Sequence, residues 1–388
     1  MSATLETVKK VAAAEPPAAG MDELLQDIRA RRREFEAQSY IPQDIVDRFK
    51  AVGVYRALVA RRFGGDEKSP AEFCRLVEQI SQADGSAGWV ASFGIGAVYL
   101  AALPLETLEK LYANGPDQVF AGGIFPPQPA VQVEGGLKVN GRWSFASGST
   151  CADVIGTGIL PRSGDKVGLP RMAVMPREKV RIEFNWDVMG LKATGSNDLV
   201  VEDVVVPEEW TFVRGGASSL DTPLYRYPSL SLATQVLTVV GLGIARAAID
   251  EVLNMAGGRA SVTGAPNLGE RVYVQLEIAK IEAELRAARA WFYEAIDEVW
   301  QVLLGGGTPL DDQISMLRLS STHASRVAAD VTRRAQMVTG MTGVYETSPL
   351  AAQVRDAQMI TQHAFMGEVT YQNAGAMLFG LKPLPGYL

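Results

Sequence analysis

The spacing of apolar residues changes twice along this chain of 388 residues. From Met21 to about Tyr112 apolar side chains return every three, four or seven residues, which is the period of an amphipathic helix. Between about residues 119 and 213 they alternate along the chain, which is the period of a strand, and from about Pro228 the helical period returns. The sequence therefore predicts an α+β fold that is mostly α, with a β segment between two helical segments.

We predict four segments whose boundaries follow these changes of period. They are a flexible tail over residues 1–20, an N-terminal all-α domain over 21–118, a middle β-barrel or sandwich domain over 119–213, and a C-terminal four-helix-bundle domain over 214–388. Ser69 and Pro70 are suited to the cap and first position of a helix in the N-terminal domain. Glycine-rich breaks separate the long C-terminal helices, which are predicted to begin near Leu230, Glu270, Pro309 and Leu350.

The middle segment is predicted to be a small antiparallel domain. The pairs at 135–136 (Gly-Gly) and 140–141 (Asn-Gly) have the composition of hairpin turns, and they separate short alternating runs that end at Phe145. Further strands are predicted at residues 154–159, 172–175, 180–184 and 199–206.

Composition excludes several classes of function. A formal net charge of −7 disfavours nucleic-acid binding, because neutralising phosphates requires clustered Lys and Arg. The two cysteines, Cys74 and Cys151, have no Cys or His spacing typical of a metal site, so no metal is predicted. No apolar run reaches the length of a membrane span, and the N-terminus lacks the apolar core of a secretory signal. We expect a cytoplasmic protein that binds no membrane.

Four short motifs, in this order, narrow the fold further. They are GVYRALVARRFGG at residues 53–65, DGSAGW at 84–89, NGRWSFASG at 140–148, and GLKATGS at 190–196, which leads into VVEDVVVP. This set resembles the acyl-CoA dehydrogenase superfamily, which has an N-terminal helical domain, a central β domain that binds flavin, and a C-terminal helical bundle. The resemblance covers residues 40–375.

Two details are similar to the monooxygenase branch of that superfamily, which includes hydroxyphenylacetate and steroid-phenol hydroxylases. One is the run WSFASG at 143–148, and the other is Ser348-Pro-Leu followed by Arg355, Asp356 and His363. The resemblance implies the oxygenase component of a two-component enzyme. Such a component uses reduced FMN or FAD and O₂, through a C4a-hydroperoxyflavin, to hydroxylate a small aromatic or heteroaromatic molecule. A separate NAD(P)H-dependent flavin reductase is implied as partner, because no Rossmann-type glycine fingerprint is present.

The resemblance also implies the site residues. Ser147 would place a hydroxyl near the flavin N5 and C4a atoms, and His363 would exchange a proton with the substrate or the departing peroxide oxygen. If residues 350–375 are helical, His363 shares a stripe with Asp356 and Met359. The other cofactor-binding residues implied are Trp143, Phe145, Gly148, Thr194, Ser196, Arg259 and Gly340, and the substrate-pocket residues are Trp89, Phe93, Tyr99 and Met359.

Alternatives to this interpretation stay open at the level of sequence. An acyl-CoA dehydrogenase or oxidase would use Glu346, in Tyr-Glu-Thr-Ser, as the base that removes the α proton. A catalytically silent member would act only as a binding or assembly partner. The second histidine, His323, has small neighbours and is predicted to pack between helices or at an interface.

The predicted substrate is phenol- or indole-like, and one departure from the family's pattern disfavours a simple phenol. Phenol-hydroxylating relatives carry a His shortly after the position of Trp89, whereas this chain has the apolar stretch GIGAVY at residues 94–99. An indole-like heteroaromatic, a polyketide ring and an amino group on a sugar each stay open. The nearly uncharged helix from Leu230 to Ile249 would expose an apolar face if left alone, so we expect a homo-oligomer, either a dimer or a tetramer.

Overall fold

The computed structural model describes residues 20–163, 166–213, 215–256 and 266–388. Six helices precede the sheet: α1 (Met21–Gln38), α2 (Gln43–Ala51), α3 (Pro70–Ala83), α4 (Gly85–Ser92), α5 (Gly96–Leu100) and α6 (Leu105–Leu111). The predicted start of α3 is confirmed, because the Ser69 hydroxyl accepts the backbone N–H of Glu72 and the Glu72 carboxylate accepts that of Ser69.

Eight strands form one sheet in the described part of the chain. They are β1 (Phe120–Val133), β2 (Gly136–Ala146), β3 (Val154–Ser163), β4 (Lys166–Val167), β5 (Arg171–Pro176), β6 (Arg181–Glu183), β7 (Asn197–Val206) and β8 (Thr211–Val213). The strand order is β6-β7-β2-β1-β3-β5-β8, with β4 paired to β3.

The sheet is antiparallel as predicted except at one pair of strands. β1 and β3 run parallel, with Phe120 opposite Val154 and Ala130 opposite Pro161, whereas the other strand pairs are antiparallel. The reason is topological: β3 does not return along β2 in a hairpin but crosses over to the far edge of β1. Apolar alternation reports which face of a strand is buried, and it carries no information about the direction of the neighbouring strand.

Asn140 and Gly141 do not form the predicted hairpin turn. β2 runs through both residues and stays paired with β7, and the register shifts between Val139 and Gly141 as at a β-bulge. Gly141 has a φ of +154°, and a methyl group at its Cα would lie 2.5 Å from the side chain of Gln128. The glycine therefore allows close approach within the sheet. The other predicted turn is present but lies one residue earlier, because Glu134 and Gly135 connect β1 to β2 and Gly136 already pairs with Val133.

The helical period after the sheet is confirmed. The helices are α7 (Pro223–Arg226), α8 (Ser229–Met255), α9 (Val272–Leu304), α10 (Asp311–Val338), α11 (Pro349–Thr361) and α12 (Glu368–Leu378). By length and composition α8 could cross a membrane, but 89% of its apolar window is buried inside this fold. It packs against α3, α10 and α11, and is therefore the central core helix of the described structure.

The helix predicted over residues 350–375 is interrupted. α11 ends at Thr361, and His363 has extended backbone angles (φ −65°, ψ 141°) at the start of a short 3₁₀ turn. Its Nδ1 accepts the backbone N–H of Phe365 at 3.3 Å. Thr and His are weak helix formers, and this local hydrogen bond replaces a helical one, so the stripe that would join His363 to Asp356 does not exist.

The predicted domain boundaries, after residues 118 and 213, lie between the two helical groups and the sheet. The three groups are not separate cores, because α3 and α4 pack directly against α8 and one cluster of buried apolar residues runs through all of them. The division into domains stays a prediction. Residues 1–19 of the predicted tail lie outside the described residues.

Candidate active site

A chain of buried hydroxyl groups joins the sheet to α4. The indole N–H of Trp89 donates to Oγ of Ser147 at 3.1 Å, and Oγ of Ser147 lies 2.6 Å from Oγ of Ser196. Ser196 Oγ lies 2.7 Å from Oγ1 of Thr194, which donates to the backbone carbonyl of Leu191 at 2.8 Å. All four side chains are at most 8% exposed. The predicted residues Ser147, Thr194 and Ser196 therefore meet in one buried network.

The two ends of this hydroxyl chain fix the direction of its protons. An indole nitrogen can only donate a hydrogen bond, and a carbonyl oxygen can only accept one. The Thr194 proton is used on the carbonyl of Leu191, so Ser196 must donate to Thr194, and Ser147 must donate to Ser196. Ser147 has then used its one proton and accepts from Trp89, which leaves its remaining lone pair as an acceptor.

An exposed aromatic surface lies close to Ser147 along the sequence. Phe145 is 71% exposed with a φ of +64°, and its ring meets the ring of Trp186 edge to face at 6.1 Å. Trp186 in turn donates its indole N–H to the carbonyl of Leu191 at 3.2 Å. The carbonyl of Leu191 therefore accepts hydrogen bonds both from Thr194, at the end of the hydroxyl chain, and from Trp186, in the aromatic pair. The exposed ring of Phe145 and the half-buried ring of Trp186, next to an ordered hydrogen-bond acceptor, fit a flat heterocycle that carries an N–H group, such as reduced flavin.

His363 contacts this network through Trp89. The two rings meet edge to face with centroids 6.0 Å apart, and the ring of Phe365 lies 4.8 Å from that of His363 on another side. Since Nδ1 accepts the N–H of Phe365, this hydrogen-bond pattern places the proton of the neutral imidazole on Nε2. The structure thus brings both predicted catalytic residues, Ser147 and His363, to the same indole ring.

Other predicted residues lie elsewhere. Trp143 is fully buried in the sheet and donates its indole N–H to the carbonyl of Gly158 at 2.8 Å, so its side chain stabilises the core. Gly340 lies at the end of α10 with a φ of +58° and open space around its Cα. Gly148 follows Ser147 in the sequence, and its backbone N–H donates to the backbone carbonyl of Thr194. Arg259 lies outside the described residues.

The predicted substrate-pocket residues divide into two groups. Trp89 is 8% exposed and acts within the hydroxyl chain rather than as an open pocket wall. Phe93, Tyr99 and Met359 are half-buried and pack against the apolar core. Among the described residues no cluster of His, Cys, Asp or Glu that could hold a metal ion is found.

Glu346 does not have the environment of a catalytic base. Its side chain is 83% exposed and pairs with Arg355 at 3.4 Å. A base that removes a carbon-bound proton works in a site that excludes water, and this carboxylate is largely in water. His323 lies beside Trp291 with ring centroids 5.7 Å apart, which confirms that it packs between α10 and α9.

Sequence reasoning missed the carbonyl of Leu191, the ring of Trp186 and a pair of acidic residues, Asp84 and Asp356. Asp84 caps α4 by accepting the N–H of Ala87 at 2.8 Å, and Oδ1 of Asp356 accepts the N–H of Leu191 at 2.6 Å. Burial, and next the charge of Asp84, raise the pKa of Asp356 to about 7. Burial also raises the pKa of Asp84. The Asp-Gly pair that opens α4 and the Arg-Asp pair in α11 were visible as motifs, but their apposition depends on the fold.

Comparison with known proteins agrees with this geometry. Residues 235–368 match the family described as acyl-CoA dehydrogenase, C-terminal domain. The chain is 65% identical over 360 residues to indole-3-acetate monooxygenase of Pseudomonas putida, covering 93% of this chain and 92% of that one. It is 28% identical to the flavin-dependent monooxygenase, oxygenase subunit HsaA, of Rhodococcus jostii strain RHA1, covering 93% and 97%. The crystal structure of 3-HSA hydroxylase from Rhodococcus sp. RHA1 superposes with a TM-score of 0.88 at 26% identity, covering 95% and 98%.

The fold and the site therefore define an enzyme of the acyl-CoA dehydrogenase fold. Within that fold, the chain belongs to the flavin-dependent monooxygenases. It is the oxygenase component of a two-component system that hydroxylates an aromatic or heteroaromatic substrate with O₂ and reduced flavin. A flavin reductase is its partner, and its substrate is a small molecule. The predictions of family, fold class, chemistry and cofactor are thus confirmed, and the dehydrogenase interpretation is set aside.

Proposed function

We propose that the substrate of this oxygenase is indole-3-acetate or a close indole carboxylic acid. The identity of 65% to the indole-3-acetate monooxygenase of Pseudomonas putida, over nearly the full length of both chains, carries this proposal. The sequence agrees with it, because the apolar run at residues 94–99 lacks the imidazole that phenol-hydroxylating relatives have after the position of Trp89. An indole ring has no phenolic proton to remove, so it does not need that imidazole.

We further propose that Ser147 meets the flavin as a hydrogen-bond acceptor. Bound reduced flavin supplies the electrons that activate dioxygen, and its N5 carries a proton. Ser147 has no proton left to donate, because the Trp89 indole and the Leu191 carbonyl order the hydroxyl chain in one direction. A fixed acceptor that needs no reorientation favours the protonated form of the group facing it. In this arrangement the Ser147 oxygen accepts a hydrogen bond from the flavin N5–H and so stabilises the protonated form of N5. Because the hydroxyl chain is buried, water is excluded from this contact.

His363 is proposed as the residue that moves a proton. Its ring lies against Trp89, so it is held near the substrate side of the hydroxyl chain, and its neutral form carries a proton on Nε2. Imidazole exchanges protons near neutral pH, which suits delivery to a leaving oxygen atom. Phe145 and Trp186 are proposed to cover the flat ring system of the cofactor, with Gly148, Thr194 and Ser196 forming the adjacent backbone and hydroxyl wall.

The remaining parts of the proposal concern assembly and location. We propose a homotetramer in the cytoplasm, in which Gly340 and the residues after it approach the flavin of a neighbouring subunit. The open space around Gly340 at the end of α10 is compatible with such an approach. The three-domain division, at residues 118 and 213, is also retained as a proposal.

The test uses the purified protein, a flavin reductase, NADH and either FMN or FAD. Indole-3-acetate and hydroxyphenylacetate are supplied separately, and both the product and the released hydrogen peroxide are measured. The proposal predicts that the indole acid is oxygenated, that the phenol is left largely unchanged, and that NADH without reductase gives no product. Hydroxylation of the phenol in preference to the indole acid would contradict it.

A further inference from the structure

Two acidic side chains, Asp84 and Asp356, are hydrogen-bonded to the elements that carry the two ends of the hydroxyl chain. The chain begins at Trp89 on α4, and the carboxylate of Asp84 caps that helix through the N–H of Ala87. It ends at the carbonyl of Leu191, and the N–H of the same residue is held by Asp356 at 2.6 Å. Asp84 therefore fixes α4, which carries Trp89. Asp356 fixes Leu191, whose carbonyl accepts the hydroxyl proton of Thr194.

Asp356 packs between the start of α4 and the loop before β7. A methyl group at the Cα of Gly85 would lie 2.9 Å from its Oδ2, so α4 approaches the carboxyl as closely as glycine allows. A methyl group at Gly190 would lie 2.6 Å from the backbone carbonyl carbon of Arg355 and 2.9 Å from the nitrogen of Asp356. Both glycines lie directly beside residues of the network. The loop before β7, the start of α4, and α11 therefore converge on one carboxyl group.

A cavity of about 210 Å³ connects this carboxyl to the surface. Asp84 and Asp356 both line it, and its rim includes the exposed Arg29 and Arg33 of α1. Two buried polar atoms in its wall, Oγ of Ser348 and Oε1 of Gln353, have no hydrogen-bond partner in the described structure. Unsatisfied polar atoms in a cavity of this size are suited to hold water, which would let Asp356 exchange protons with solvent.

The charges around Asp356 come from every element packed on it. Acidic neighbours are Asp84 at the start of α4 and Glu36 on α1, and the basic neighbour is Arg355 on α11. Arg355 is itself paired with Glu36 and Glu346. Arg32 faces Asp84 rather than Asp356. Asp356 thus shares its basic neighbour Arg355 with two glutamates. Both Asp84 and Asp356 are buried, so ionising both carboxyls is costly.

We propose that Asp356 is a positioning residue that holds Ser147 through both ends of the hydroxyl chain, by its hydrogen bond to the N–H of Leu191 and by its packing against the start of α4. With the proton present, the start of α4 packs against an uncharged carboxyl, and Trp89 stays in hydrogen-bond range of Ser147. With the proton lost, the charge of Asp356 repels that of Asp84, and the hydroxyl chain loosens at its Trp89 end on α4. The hydrogen bond from Leu191 favours the ionised carboxylate and is kept. This inference rests on the proposed role of Ser147, but the protonation of Asp356 can be measured without turnover.

A conservative substitution, Asp356→Asn, separates the effect of hydrogen-bond geometry at this position from the effect of its charge. In Asp356→Asn the amide oxygen can still accept the N–H of Leu191, and the uncharged amide does not repel Asp84. The variant therefore imitates the protonated state at every pH. Asp356→Ala removes the acceptor altogether. Asp84→Asn keeps the helix cap but removes one charge of the pair, and Asp312→Asn, at an exposed position in the first turn of α10, is the matched control.

The first measurement is infrared titration of protonated carboxyl groups in the purified protein, from about pH 5 to about pH 9. Wild type and Asp312→Asn are expected to lose a buried carboxyl band near neutral pH. The band should be absent from Asp356→Asn and should titrate at lower pH in Asp84→Asn. Persistence of the band in Asp356→Asn would overturn the assignment, whatever the substrate proves to be.

The second measurement is the fraction of reduced flavin whose oxidation releases hydrogen peroxide instead of hydroxylated product, over the same pH range. In wild type this share is expected to rise as Asp356 ionises, in Asp356→Asn to keep its low-pH value throughout, and in Asp356→Ala to be high at every pH. A transition of unchanged midpoint in Asp356→Asn would assign the effect to another group, such as His363, and would end the proposal. Failure of the indole substrate would abolish product formation but leave the infrared result unchanged, so the two failures are distinguishable.

Discussion

The substitution Asp356→Asn should flatten the dependence of the protein's stability on pH. Asp356 is 8% exposed, and burial with the nearby charge of Asp84 raises the pKa of its carboxyl from 3.8 to about 7. The folded protein therefore holds this proton more tightly than the unfolded chain does. Its contribution to stability is fully present below about pH 4, falls as the pH rises toward about 7, and is gone above that value.

The magnitude follows from the size of the pKa change. A difference of about three pKa units corresponds to about 4 kcal/mol, at about 1.4 kcal/mol for each unit. A loss of that size is a large part of the total stability of a typical domain, which is about 5–15 kcal/mol. Asn at this position keeps the acceptor for the N–H of Leu191 and cannot ionise, so the variant should lose little of its stability over the same pH range.

The assay is equilibrium unfolding in urea at a series of pH values, with protein concentration held constant. Wild type should lose stability between about pH 4 and about pH 7, and Asp356→Asn should lose only what other groups contribute. Above pH 7 the variant should be the more stable of the two proteins. A variant whose stability falls with pH as steeply as that of wild type would refute the reasoning, because the ionisation of Asp356 would then cost nothing.

Three further substitutions test other parts of the site. Trp89→Phe removes the only N–H of that ring and leaves Ser147 without its donor, so urea unfolding should show a loss of about 1–3 kcal/mol, and more hydrogen peroxide should be released; an unchanged stability would argue against the buried hydrogen bond. His363→Ala should lower the rate of oxygenation about 100-fold or more while flavin binding, measured by fluorescence quenching, stays near wild type; weak flavin binding would instead indicate a structural role. Glu346→Gln should leave oxygenation unchanged because the carboxylate is 83% exposed, and a large loss of rate would reopen its catalytic role.

The order of helices and strands could be predicted from the sequence because it depends on local patterns. The start of α3 is encoded by Ser69 and Glu72, which satisfy each other's backbone N–H groups, and by Pro70, whose ring suits the first helical position. The long apolar run of α8 likewise specifies a core helix, since most of its surface must be covered. Signals of this kind act over a few residues, so they are present in the sequence itself.

Pairing between distant residues could not be predicted in the same way. The parallel contact of β1 with β3 depends on where the chain crosses the sheet, and alternation of apolar residues is the same for either direction. The Asn-Gly pair at residues 140–141 has the composition of a turn, but its pairing with β7 holds it inside a strand. Local preference was overridden there by the contacts of the complete sheet.

The candidate site was predictable in part. Ser147, Thr194 and Ser196 were predicted from motifs, and the structure joins them, but the motifs did not show that Trp89 donates to Ser147 and so fixes the direction of the protons. The pairing of Asp84 with Asp356 was also invisible, because two acidic residues far apart in sequence usually lie in water. Only the convergence of α4 and α11 makes their ionisation costly.

The most direct test of the account follows isotopically labelled dioxygen into product in wild type, Ser147→Ala and Ser149→Ala. Ser149 is a matched control, since it is buried two residues further on and its hydroxyl has no hydrogen-bond partner in the described structure. Wild type and Ser149→Ala should place one labelled oxygen atom in the indole product, whereas Ser147→Ala should send most of the label to hydrogen peroxide. Equal incorporation into product by all three proteins would contradict the claim that the ordered hydroxyl chain controls the fate of oxygen.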